Sequence, residues 1–105
     1  MILIGAEVKC GVFTDRNTNK DVEYNNLMLY FQSSEDLENP ENENFAFGYS
    51  VKAYKVKNDP DTLKSAFKGI YKENDSEGTW LKNLAGVNCE ILENKYGGIQ
   101  RLLLE

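Results

Sequence analysis

A chain of 105 residues with 17 Asp and Glu, 12 Lys and Arg and no histidine is long enough for one domain with a single modest core and too short for a second. Its net charge of −5 argues against strong nonspecific binding to duplex DNA, which draws its affinity from phosphate neutralisation. No apolar run approaches the roughly 18 residues that a membrane span needs. The opening "MILIGAEVKC" lacks the basic n-region of a secretion signal and carries Glu7 and Lys9, so it reads as a first strand of a cytoplasmic protein with no membrane partner.

In residues 2 to 13, Ile2, Ile4, Ala6, Val8, Cys10 and Val12 alternate with Leu3, Gly5, Glu7, Lys9, Gly11 and Phe13. That period of two predicts a long strand, with Gly5 and Gly11 marking bulges or bends. The polar stretch "TDRNTNKD" follows as a loop. Residues 22 to 32 alternate again, with Leu27, Leu29 and Phe31 on one face and Tyr24, Asn26, Met28 and Tyr30 on the other. "SSEDLENPENEN", residues 33 to 44, holds five carboxylates and no Lys or Arg; with Pro40 and its Asn and Ser neighbours it reads as a polar acidic loop.

Alternation resumes in "FAFGYSVKAYKV", residues 45 to 56, a third strand. "NDPDTLKSAFKGIYK" changes the period: Asp59 suits an N-cap, Pro60 the first helical position, and Leu63, Ala66, Phe67, Ile70 and Tyr71 follow helical spacing over 60 to 71. "TWLKNLAG" is ambiguous between a short strand and a helical turn, and Trp80 within it reads as a core or interface anchor rather than a stacking platform. Val87, Cys89 and Ile91 predict a fourth strand, "NKYGG" a turn, and "IQRLLLE" a fifth strand. The two cysteines, Cys10 and Cys89, are too few and too far apart for a zinc site or a disulfide scaffold and read as two buried thiols.

The order of three strands, a helix and two strands, mainly β, is that of a five-stranded OB-like barrel with one helix between strands 3 and 4, filling residues 1–105 as a single domain. In such a barrel the oligonucleotide surface is the outer face of strands 2 and 3, flanked by the loops after strands 1 and 4. Arg16 and Lys20 in the first loop, and Lys95 and Tyr96 in the second, are then placed at the two ends of one groove. Tyr24 and Tyr30 on strand 2, and Lys52 and Tyr54 on strand 3, are expected between them. Ammonium groups track phosphates while stacked bases contribute about 1 to 3 kcal/mol each. The partner so implied is single-stranded nucleic acid, DNA or RNA, bound with tolerance of sequence. Ordinary strand tyrosines and a solubilising hairpin tip explain the same residues without a ligand. From 52 to 72 six lysines stand against two aspartates, so a basic face can coexist with an acidic total.

The long first strand, "FTDRNTNKDVEYNNLMLY" and the closing "VNCEILENKYGGIQRLLLE" resemble the single-stranded DNA-binding proteins of filamentous phages and the related small replication accessory proteins of Gram-positive conjugative elements. The resemblance covers the two ends of the chain. It implies an OB-type barrel, a homodimer, and strand coating during replication or transfer of a phage or mobile element. Carried onto these residues, it points to Arg16, Lys20, Tyr24 and Tyr30.

Catalysis has no foothold in the sequence: there is no histidine, no Gly-rich phosphate loop and no G-x-S-x-G, and neither a cofactor nor a metal is implied. Two rivals come from other classes. One is an acidic interaction protein whose loop 33–44 occupies a basic partner protein, inhibiting a nucleic-acid enzyme by charge mimicry. The other is an assembly subunit that oligomerises through strand edges.

Overall fold

The computed structural model describes residues 1–38, 41 and 43–105. Strands β1 (Ile2–Thr14), β2 (Asp21–Asp36) and β3 (Tyr49–Lys57) form an antiparallel sheet in that order. Helices α1 (Pro60–Ala66) and α2 (Thr79–Lys82) follow, and β4 (Cys89–Glu93) pairs with β5 (Ile99–Leu104) in a second antiparallel sheet. The fold is mainly β.

Register assigns the faces of the large sheet. Leu3 stands opposite Phe31, Ala6 opposite Leu29 and Val8 opposite Leu27, while Leu29 and Leu27 meet Tyr54 and Val56 of β3. This is the core face. Leu63 and Ala66 from α1 with Phe67 just after it, Trp80 and Leu84 at α2, and Cys89, Ile99 and Leu102 from the second sheet close over it. Phe67 lies 5.2 Å from the Trp80 ring, and Phe31 meets Tyr54 edge-on at 5.7 Å, so aromatic packing joins the layers. Trp80 is buried, as a core anchor should be.

The expected closed barrel is not formed. Among the described residues β3 joins the β4–β5 hairpin through side chains, Lys52 and Tyr54 on Glu93, and not through a backbone ladder. At the other edge the two sheets touch through one bridge, Ile2 with Asn88, and through the Cys89 amide on the Met1 carbonyl at 2.7 Å. Backbone pairing therefore leaves two open sheets.

Several boundaries move. β2 runs on to Asp36, so the acidic connection starts at Leu37; Pro40 lies outside the described residues. β3 begins at Tyr49, leaving Phe45 and Phe47 exposed in that connection. The helix expected over 60 to 71 stops at Ala66, because Phe67 departs from helical dihedrals and Gly69 takes φ 82°. Its start is as the sequence reads: Asp59 accepts from the Thr62 amide at 2.9 Å and Pro60 opens the first turn. "TWLK" is helical; a carboxylate oxygen of Asp75 accepts from the Trp80 amide at 2.8 Å and satisfies its first turn. Among the described residues no helix is long and apolar enough to cross a membrane.

Candidate nucleic-acid interface

Among the described residues no layer covers the second face of the β1–β2–β3 sheet. Its rows read across the strands as Gly5, Tyr30 and Ala53; Glu7, Met28 and Lys55; Lys9, Asn26 and Lys57. Beyond the end of β3 they continue as Gly11 with Tyr24 and Phe13 with Val22. Aromatic rings, a thioether and three ammonium groups thus interleave on one surface, with Glu7 as the carboxylate among these rows.

Tyr24 and Tyr30 each stand opposite a glycine, Gly11 and Gly5. A methyl group on Gly11 would come 2.7 Å from the Tyr24 hydroxyl oxygen and 2.9 Å from its Cζ, so the ring lies flat across the bare backbone. Phe13 flanks it, ring centroids 6.2 Å apart. Tyr30 leans past Gly5 and donates its hydroxyl to Glu7 at 2.8 Å. That bond holds the Glu7 carboxyl below its usual range, with Lys9 at 3.4 Å adding to the effect, and it raises the Tyr30 hydroxyl. The expected bend at the glycines is half right: the register slips between Leu3 and Gly5, whereas Gly11 makes room for a ring.

Lys52 and Tyr54 are placed otherwise than expected. They stand opposite Phe31 and Leu29, on the covered face. Tyr54 is buried and gives its hydroxyl to Glu93 at 2.7 Å, and the Lys52 ammonium pairs with the same carboxylate. The Lys52 ammonium, then the Tyr54 hydroxyl, holds the Glu93 carboxyl below its usual range. Lys55 and Lys57 take the positions on the open face. The sequence "VKAYKVK" carries lysine in both phases of the alternation, so composition could not tell the faces apart; pairing with Leu27 and Leu29 does.

The hairpin beyond Lys9 and Asn26 projects past the core cover as an arm. At its tip Asp15 donates its amide to the Lys20 carbonyl at 2.8 Å and accepts from the Asn19 amide at 2.7 Å; Asn19 takes φ 56°. Arg16 and Lys20 are exposed there. Cys10 is exposed as well, against expectation, because it faces the core side of the sheet at a level the helices do not reach; Cys89 is buried, which raises its thiol. Lys95 and Tyr96 sit on the β4–β5 turn, where the Asn94 side chain accepts from the Tyr96 and Gly98 amides at 2.9 Å each. That turn lies beside β3, with Gly98 close to the Lys55 carbonyl. Among the described residues no hydrogen bond, ion pair or ring contact joins it to the arm's tip.

Comparison with known protein families, with characterised protein sequences and with solved structures finds no match for this chain.

Proposed function

We propose that this chain is a non-catalytic single-stranded nucleic-acid-binding protein, with single-stranded DNA as its ligand, working in the cytoplasm in replication or transfer of a phage or mobile element. The observation that carries the reading is the open sheet face: Tyr24, Tyr30, Phe13 and Met28 interleaved with Lys9, Lys55 and Lys57, continuous with an arm tipped by Arg16 and Lys20. Tyr24 and Tyr30 are six residues apart on one strand, about 20 Å, a span that holds several stacked bases. Rings offer a π-face to any base and ammonium groups follow any backbone, so the site tolerates sequence. A net-acidic protein can bind this way because Lys9, Lys55 and Lys57 stand among the rings; Lys9 lies 3.4 Å from Glu7 and Lys57 3.5 Å from Asp59, and Lys55 is the lysine of the three with no carboxylate in ion-pair range among the described residues. The order of strands and the Ile2–Asn88 bridge support an open relative of the OB design.

The test is a fluorescence-anisotropy titration of labelled oligo-dT at low and moderate salt, with a duplex competitor. Saturable binding that duplex does not displace is expected. Lys55→Ala should weaken it and reduce the slope of log K against log salt by about 0.7, whereas Lys52→Ala, on the covered face, should leave both nearly unchanged. Equal effects of the two substitutions, or no saturable binding, would overturn the reading and direct attention to the acidic segment and a basic protein partner.

A further inference from the structure

We infer that two copies of this chain pair antiparallel through the outer edge of β1, in the register that sets Val8 against Val8 of the second copy. The inference is independent of the nucleic-acid reading.

β2 covers one edge of β1. On the other edge, Met1 to Leu3 are engaged by the chain around Gly86 to Cys89, with the Gly86 amide on the Leu3 carbonyl at 3.0 Å. From Gly5 to Thr14 no described residue hydrogen-bonds that edge. It contains no proline, and after the bulge at Ile4 its pairing with β2 is regular. An unprotected edge of this length is a template for another strand.

The sequence along it reads as a chemical palindrome about Val8. In "GAEVKCG", residues 5 to 11, antiparallel self-pairing sets Gly5 against Gly11, Ala6 against Cys10 and Glu7 against Lys9. Every position then meets a suitable neighbour, and two opposite-charge cross-strand pairs form. Shifting by one step in either direction that keeps the faces aligned sets Glu7 against Glu7 or Lys9 against Lys9. Charge therefore selects one register.

A second feature fits the same pose. Beside the edge, on the core side, a groove is lined by Leu3, Gly5, Ala6, Leu81, Lys82 and Ala85. In the Val8-centred register Val12 of the second copy falls opposite Ile4, which lies in sequence between the groove residues Leu3 and Gly5. Val8 and Val12 are 55% and 60% exposed, large values for apolar strand residues on the face that elsewhere forms the core. The ladder ends there because Gly86 already occupies the edge at Leu3. The two-fold axis stands perpendicular to the sheet, so both open faces point the same way across six strands.

Sedimentation equilibrium of the full chain, together with cysteine cross-linking, tests this. Wild type should dimerise. Lys9→Glu and Glu7→Lys should each raise the dimer dissociation constant about tenfold, and the combined E7K/K9E chain, which restores opposite charges across the axis, should dimerise again. In a Cys10→Ser background, mild oxidation should cross-link Val8→Cys, because paired Cα atoms about 4.5 to 5.5 Å apart suit a disulfide. Glu23→Cys, at an exposed position on the neighbouring strand, should not cross-link. A monomeric wild type, a double swap no better than the single reversals, or cross-linking as efficient at residue 23 as at residue 8 would overturn the proposal; circular dichroism of each variant reports whether it is folded.

Discussion

At Gly11 a missing side chain has a geometric consequence: the Tyr24 ring occupies the space a β-carbon would take. Glycine inside a strand costs about 0.5 to 1 kcal/mol relative to alanine. Gly11→Ala should therefore hold or raise the melting temperature while lifting Tyr24 from its flat pose and weakening oligo-dT binding by roughly 5- to 160-fold, the worth of one stacked base. Thermal melts and anisotropy on the same sample check both halves. The Glu93 carboxylate illustrates a different dependence, on pH. Its folded pKa lies below the ordinary 4.5, so the stability it supplies is present above that value and is lost as pH falls through the lower folded value. Glu93→Gln should lower the melting temperature slightly near neutrality and flatten its decline in acid, as melts across an acid pH series would show.

Among the elements, the helices are too short to persist alone; α1 has seven residues and α2 four. They exist because their apolar side chains close the core face of the sheet. Phe67, just past the end of α1, is fully buried against Trp80. Phe67→Ala should cost about 3 to 5 kcal/mol, a large part of the stability of a small domain. Urea titration followed by the fluorescence of Trp80, the single tryptophan, gives the value directly. The edge strands differ in the same way: β4 and β5 are anchored by Cys89, Ile99 and Leu102 in the core, whereas the arm's half of β1 buries nothing comparable.

At the scale of the whole molecule, the shape is elongated. The extents are 51 × 36 × 23 Å and the radius of gyration is 16.5 Å, against about 13 Å for a compact chain of this length. Among the described residues every buried core residue lies outside the arm's Cys10–Asn25 segment. Replacing that segment by Asn-Gly, a two-residue turn between the paired Lys9 and Asn26, should leave the unfolding free energy from urea titration within about 1 kcal/mol of wild type. Oligo-dT binding should fall to the level of the Lys55→Ala chain or below. A protein that unfolds on losing the arm would show that the arm is part of the core.

The sequence by itself determined the order of strands, the capped start of α1, the glycine-bearing turn "NKYGG" and the outward set on β2. Each depends on a local signal: period-two alternation, an Asp-Pro helix start, a residue that takes positive φ. The place of Tyr24 and Tyr30 on the open side of β2 and of Arg16, Lys20, Lys95 and Tyr96 on exposed turns could be read from such signals, and so could the burial of Trp80. What only the tertiary structure decided depends on which strand meets which. Pairing with Leu27 and Leu29 turned Lys52 and Tyr54 to the covered face and left Lys55 and Lys57 on the open one. The limited reach of α1 and α2 exposed Cys10. Backbone pairing stopped short of closure between β3 and the β4–β5 hairpin, leaving two sheets where strand order alone had suggested a barrel. Alternation tells a residue which side it shares with its neighbours, but only packing decides which side is covered.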